Sequence, residues 1–504
     1  MRKWLPLLTV CLGTFMLLID VTIVNVALPD MQIDLHASFG SLQWVVDGYA
    51  LAVAALMLGA GSIADLTGHR RAYLAGLVLF AVASLVCGFA PNPMVLIVAR
   101  AMQGVGAATM SCTTFALLNN SYTGRDRAGA YGMWGAVAGA SSAIGPIVGG
   151  ILTDIASWRW IFFVNLPVSV VAVALCVGVL TDGQRPHRGR IDAAGVATFT
   201  VSAALATYAL IRANEHGWSD SITWWTLLAA AVALAAFVRI EIVSPQPILD
   251  LALLRDRAFV GVLIAGAILY FAAFGALMYT QIWMQSLLGM SPIQAGAVGL
   301  PLSVMAFLVS GAIGRYLHGA HARWIIGGGL AAVGLGGIIG ALLVHDRASW
   351  TALVPGFVVV GAGVGLATAT LSSAAVSLVP WQRAGMATGA LNTAQQLSFA
   401  LGIATLGSVF AERARSVLTD RAVSDPTATA RAIAGGQSPQ LIQAAPPIQN
   451  AVHTAAAAGV HTTLALSGAV ALLGAALVPV LMRPRRPDRH VTETVEPTTQ
   501  LAGA

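Results

Sequence analysis

The sequence predicts an all-α membrane protein built as two six-helix bundles with two further helices inserted between them, fourteen spans in all. Three observations predict it. The chain is 57% hydrophobic and 10% charged, with a mean hydropathy of +0.79, whereas a soluble domain carries roughly a quarter charged residues. No water-facing surface can be built from that inventory, so lipid is the solvent around most of the chain. Apolar runs of about 20 residues, each enough to cross roughly 30 Å of hydrocarbon at about 1.5 Å per residue, recur from end to end. Finally, GSIADLTGHRR after the second run has a degenerate echo, GAIGRYLHGAHAR, after the tenth, with Gly61, Asp65 and Gly68 matching Gly311, Arg315 and Gly319. Such an echo is expected when two halves of a membrane protein repeat one another.

The predicted spans are 5–28, 42–64, 72–90, 94–118, 130–152, 160–181, 193–212, 221–240, 258–282, 294–314, 324–344, 350–372, 385–410 and 456–482. The first run continues from Lys3 to Leu28, longer than the apolar core of a cleavable signal, so it stays as a helix. Spans 1 to 6 make an N-terminal bundle over residues 1–181. The polar stretch TDGQRPHRGRID reads as a joint, and with spans 7 and 8 it fills 182–257. Spans 9 to 14 make a C-terminal bundle over 258–482, followed by a tail at 483–504. A long loop at 411–455, rich in Ala, Gln, Pro and Arg, is expected to hold a partial amphipathic helix or disorder.

Charge sets the orientation. With fourteen spans both termini lie on one side, and that side carries 19 of the 27 Lys and Arg residues, against 7 on the other and Arg100 within a span. The positive-inside rule then puts both termini in the cytoplasm. The net charge of +6 comes from residues scattered a few per loop and not from a basic stripe, which argues against a nucleic-acid partner. A single lysine beside 26 arginines points to a GC-rich bacterial genome, hence to a bacterial plasma membrane. Cys11, Cys87, Cys112 and Cys176 all fall in apolar runs, as small buried hydrophobes do, so neither a disulfide nor a metal is expected.

Five strings carry the chemistry: LIDVTIVNVALP ending span 1, GSIADLTGHRR between spans 2 and 3, VARAMQGVGAA in span 4, GAVAGASSAIGPIVGG in span 5, and WRWIFFVNLP after it. In this order they resemble the major facilitator superfamily over essentially the whole chain, specifically its fourteen-helix branch of drug:proton antiporters. The resemblance implies a proton-coupled exporter of lipophilic drugs or antibiotics that works by alternating access, as a monomer and with no cofactor. Export of an endogenous metabolite or siderophore is the alternative. A membrane-embedded enzyme would need a clustered nucleophile, base or metal set, and the sequence has no H-E-x-x-H or paired Cys/His string. A channel would want a filter repeat or a charge ring.

The residues also have readings of their own. Asp20 sits two-thirds along span 1 with no Lys or Arg within a helical turn, and Asp47 lies at comparable depth in span 2. A carboxyl in apolar surroundings is costly when charged, so it can take up a proton when enclosed and release it when wetted. Both are candidate proton carriers, and a wetted vestibule is the alternative for Asp47. Arg100, several residues inside span 4, must face the interior with partners, since an isolated charge there costs about 2.5–3.5 kcal/mol. Family resemblance implies proton coupling for it, with a structural hydrogen-bond hub as the alternative. Asp65, Arg70 and Arg71 are expected to meet at the cytoplasmic surface and close an inner gate by ion pairs, although Arg70 and Arg71 also satisfy the positive-inside rule unaided.

Gly145-Pro146 removes a backbone hydrogen bond and predicts a bend in span 5, while Gly149 and Gly150 permit close helix contact. The resemblance implies that this element marks antiporters. For the substrate, Tyr270, Phe274, Met278 and Gln281 share one face of span 9 at helical spacing, and span 13 offers Asn392, Gln395 and Gln396. Aromatic, thioether and amide groups suit a promiscuous pocket for flat apolar molecules, with packing or lipid contact as the alternative. Spans 9 to 13 hold no acid, which argues against a divalent cation as the preferred substrate.

Overall fold

Every element that the computed structural model describes is helical, as a chain surrounded by hydrocarbon must be if each segment is to satisfy its own backbone N–H and C=O groups. The described residues are 2–37, 39–181, 192–216, 218–245, 247, 249–290, 292–316, 322–345, 348–380 and 383–483. The predicted joint from 182 to 191, the matched glycine Gly319 and the tail from 484 lie outside them.

The N-terminal helices are α1 (Leu5–Asp34), α2 (Phe39–Thr67), α3 (His69–Gly88), α4 (Pro93–Ser121), α5 (Gly124–Ile155) and α6 (Trp160–Val179, interrupted at Val164). Then come α7 (Ala193–His216) and α8 (Ser221–Val243). The C-terminal helices are α9 (Arg257–Leu287), α10 (Pro292–Val298), α11 (Leu300–Tyr316), α12 (Ala322–Leu343), α13 (Val354–Ser377), α14 (Ala384–Asp420), the short α15 (Pro426–Ala434) and α16 (Ser438–Ala444), and α17 (Gln449–Leu481). Local signals set the ends. Asn92 accepts from Val95 N at 3.0 Å with Pro93 in the first turn of α4, and Asp256 accepts from Ala258 N at 2.8 Å to start α9. Gly68, at φ 101°, lets the chain reverse between α2 and α3 in a region that disfavours a Cβ.

Among the described residues eleven helices are long and apolar enough to cross a membrane, or twelve when α2, bent by 54° between Trp44–Met57 and Gly59–Thr67, counts as one span. The protein is therefore a multi-pass membrane protein. Neither α5 nor the α10–α11 pair meets that measure, though Leu300–Ala312 is a shorter apolar stretch.

Helix pairing repeats between the two halves of the chain. In the first half α1 packs on α5 and α6, α2 on α4, and α3 on α4 and α6. In the second, α9 packs on α14 and α17, α11 on α13, and α12 on α13 and α17, so each pair in the first half has a counterpart in the second. Two seams join the halves, α2 against α14 and α5 against α11, and they too are counterparts. Helix α7 packs against α8 and also against both α2 and α14. Its contacts include Val196 against Gly59, a Tyr208–Trp44 ring stack at 5.8 Å, and, just beyond the helix, Trp218 Nε1 donating to Ser408 Oγ at 2.8 Å.

The loop expected at 411–455 is largely helical. Helix α14 continues to Asp420, and Asp425 then caps α15 by accepting from Ala428 N at 2.9 Å. Ala430 and Ile433 of α15 are buried in one apolar cluster with Trp283, Leu418 and Val452, so the segment packs over the ends of α9, α14 and α17.

Candidate functional site

Two sites collect the residues that the sequence singles out. The first lies inside the N-terminal helices. Asp20 (α1) is fully buried, and Arg100 (α4) reaches it with Nη1 at 2.5 Å from Oδ2. The expected isolation of Asp20 is a sequence effect only: its counter-ion comes from a helix 80 residues away. The same Arg100 Nη1 donates to Gln103 Oε1 at 2.7 Å, and Arg100 Nε donates to the Val45 carbonyl of α2 at 3.1 Å. Gln103 Nε2 donates to Asp20 Oδ1 and to Ser84 Oγ (α3), each at 2.8 Å. Asn165 Nδ2 (α6) donates to Asp20 Oδ1 at 3.1 Å and to Ser84 Oγ at 3.4 Å. The guanidinium also lies 4.3 Å from the centre of the Tyr49 ring.

A buried ion pair is repaid only when its remaining donors and acceptors find partners, and here Gln103, Asn165 and the Val45 carbonyl bond the pair within a network of five side chains from four helices. Asp47 is half-buried on α2, two residues from the Val45 carbonyl that Arg100 engages. Helix α5 crosses α1 one turn further on, where a Cβ on Gly145 would strike Thr22 Oγ1 and one on Gly149 would lie 2.8 Å from Ile23. Close α1–α5 contact is thus what these glycines provide. The side chain of Pro146 lies outside the described residues.

The second site is the seam where the C-terminal end of α2 meets the N-terminal end of α14. Asp65 accepts from two backbone amides of α14, Oδ1 from Gly385 N and Oδ2 from Met386 N, both at 3.0 Å. His69 Nε2 lies 3.4 Å from Oδ1. The carboxylate therefore caps the positive end of a helix from the other half of the chain. This corrects the expected ion pairs: the partners of Asp65 are two amides and His69, while Arg70 donates to the α6 carbonyls of Cys176 and Val177 at 3.3 and 2.7 Å and Arg71 is exposed. A Cβ on Gly61 would sit 2.5 Å from the Gly385 carbonyl, so the approach needs glycine there. Beside the seam Arg383, which precedes α14, pairs with Asp250.

On α9 Tyr270–Phe274 is wound as a π-helix, a wider turn than the α-helix. Tyr270 and Phe274 have ring centres 4.7 Å apart, and they and Gln281 are half-buried, while Met278 is 39% exposed. On α14, Gln395 is buried against Gly266 of α9, and Asn392 and Gln396 are half-buried. A separate small apolar pocket lies among α9, α12, α13 and α17, lined on α9 by Ala272, Ala276 and Thr280 and on α13 and α17 by Phe357 and Leu464. None of the predicted substrate residues lines it. Ser84 and Asn165 were missed; Asn165 sits in the WRWIFFVNLP string, and an amide amid apolar residues was the available signal.

Comparison with known proteins follows the same lines. The chain is 36% identical over 426 residues to the multidrug resistance protein Stp of Mycobacterium tuberculosis, covering 84% of this chain and 79% of that protein. It is 31% identical over 520 residues to the tetracenomycin C resistance and export protein of Streptomyces glaucescens, covering 100% and 96%. Its fold is similar to that of the proton:xylose symporter XylE, with a TM-score of 0.63 over 95% of this chain and 96% of the other at 11% identity. The model of the Major Facilitator Superfamily matches residues 10–403, and with the repeated helix pairing and the two seams this shows that the chain belongs to that superfamily.

Proposed function

We propose that the protein is a proton-coupled antiporter that exports lipophilic drugs or antibiotics across a bacterial plasma membrane by alternating access. The observation that carries this reading is the Asp20–Arg100 pair, a buried acid whose two oxygens both accept hydrogen bonds inside a membrane protein related to resistance exporters. Asp20 is the principal proton carrier and Arg100 its counter-ion, with Asp47 as a secondary acid. Export of a self-made compound is the second reading, in keeping with the likeness to a protein named for both resistance and export.

In this reading there are fourteen spans: the twelve counted above, α5, and the α10–α11 pair. Helices α1–α6 and α9–α17 form two bundles, α7 and α8 are the insert, and both termini are cytoplasmic. The Asp65–α14 contact is then an inner gate in its closed state, and rocking of the bundles breaks it. Tyr270, Phe274, Met278, Gln281, Asn392 and Gln396 contribute to the substrate path, and Arg70 and Arg71 hold the cytoplasmic ends. The test is transport by purified protein in proteoliposomes with an imposed pH gradient, using compounds first identified by their lost toxicity in a pump-deficient host expressing the chain. Accumulation that ignores the gradient sinks the antiport reading.

A further inference from the structure

Asp20 has more donors than a charge pair needs. Its Oδ2 faces Arg100 Nη1, and its Oδ1 is shared by Gln103 Nε2 at 2.8 Å and Asn165 Nδ2 at 3.1 Å. That arrangement suits the carboxylate and leaves the neutral acid in difficulty, because a protonated carboxyl must donate its own hydroxyl hydrogen. Arg100 offers no acceptor. Gln103 is fixed in its donor orientation, because its Oε1 accepts from Arg100 Nη1 at 2.7 Å and turning its amide would set donor against donor.

Asn165 differs. It holds Asp20 and Ser84 through the same nitrogen, and its Oδ1 makes no hydrogen bond among the described residues. Half a turn of the amide exchanges Nδ2 for Oδ1 at the same place without moving α6. Ser84, whose hydroxyl can donate or accept, can follow the turn.

We propose that Asn165 is a positioning residue for the proton-carrying carboxyl, donating to the Asp20 carboxylate in one orientation and accepting from the Asp20 acid in the other. The inference rests on Asp20 being the carrier. The ionisable groups around the carboxyl are Arg100 from α4, Tyr49 from α2 and Cys87 from α3, whose thiol is 3.9 Å from Gln103 Oε1. Near this turn of α1, α5 brings Gly145 and Gly149, and α6 brings Ser169, which donates to Met16. Asn165 is thus the group beside Oδ1 that can meet both protonation states.

The test compares Asn165→Leu, which is close in size and has no polar atom, with Asn165→Ser and the parent in proteoliposomes. The rate of proton-driven efflux is followed against pH, together with substrate exchange in the absence of a gradient. A charge-assisted hydrogen bond is roughly twice as strong as a neutral one, so losing both favours the acid and moves the pH midpoint for Asn165→Leu about one unit to the alkaline side. Exchange at its plateau should stay within about twofold. Asn165→Ser retains a hydroxyl that can donate and accept, and should shift less. If Asn165→Leu does not insert, Asn165→Ala takes its place with the same expectation. Rates that fall equally at every pH, with the midpoint unmoved, overturn the inference. Asp20→Asn separates it from the reading beneath it. If that variant loses coupling and Asn165→Leu keeps the parental midpoint, only the positioning role fails; if Asp20→Asn still couples, the carrier assignment fails.

Discussion

Gly61 of α2 and Gly385 of α14 approach so closely that a Cβ on either would lie 2.5 to 2.8 Å from the other's carbonyl oxygen. Their contact is what brings Asp65 within reach of the first amides of α14. Forcing a methyl into such a packed seam costs about 1–3 kcal/mol, enough to shift a balanced two-state equilibrium by roughly one to two orders of magnitude. Gly61→Ala should therefore populate states in which this end is open. Spin labels at Thr67 and Leu254 should report a longer distance in the variant than in the parent, since both positions are exposed and the four native cysteines are buried. An unchanged distance distribution counts against the gate.

Asp65→Asn removes the charge from a helix cap and keeps the shape. A neutral amide accepts at only one of the two amides of α14, with a loss of about 1–2 kcal/mol. Turnover should fall several-fold while equilibrium substrate binding is retained, because the residue lies at a seam and not in the Asp20 network. Equal loss of binding and turnover in normally inserted protein would move Asp65 to the binding site or to the fold.

Asp20→Asn mimics the permanently protonated form. Uphill efflux driven by a pH gradient should be lost while exchange of substrate down its own gradient survives, and Asp47→Asn should be milder. Parental accumulation by Asp20→Asn moves the carrier role to Asp47. Arg100→Ala is a different lesion: it leaves Asp20 buried without a counter-ion, at a cost of about 3–5 kcal/mol, and should reduce the amount of folded protein recovered from the membrane.

Asp34 at the end of α1 ties down the α5–α6 turn, accepting from Arg159 Nη1 at 2.5 Å and Trp158 Nε1 at 3.1 Å. Arg159 holds its carboxyl below the ordinary value of 3.8. A carboxyl lowered by folding stabilises above its unfolded value, and that contribution is lost as pH falls through the folded one. The pair is largely exposed, so it is worth about 0.2–1 kcal/mol. Asp34→Asn should melt slightly below the parent at neutral pH, and the gap should close between about pH 5 and about pH 2. A gap that persists in acid assigns the effect to lost shape.

Helix positions were legible in the sequence because lipid demands long apolar runs, and the repeat in GSIADLTGHRR matched real counterparts in helix pairing. What sequence spacing cannot carry is contact between helices. Asp20 looked isolated because Arg100, Gln103, Ser84 and Asn165 come from three other helices. Asp65 was matched with the arginines next to it in the chain, yet backbone amides, which have no sequence signature, are its partners. Spacing also gives no sign of a π turn such as Tyr270–Phe274, which alters the register on which i and i+4 arguments rest. The partial amphipathic helix expected within 411–455 is present as α15, where a few apolar residues, such as Ile433, suffice to anchor it.

The two seams copy each other in helix pairing, but what lies across them differs: α7, 24 residues long with α8 behind it, packs on α2 and α14, whereas the 7-residue α10 packs on α5 and α11. The internal duplication therefore does not extend to these flanking helices. The two flanks of the repeated core are of unequal bulk, so the protein has a front and a back that the core itself does not possess.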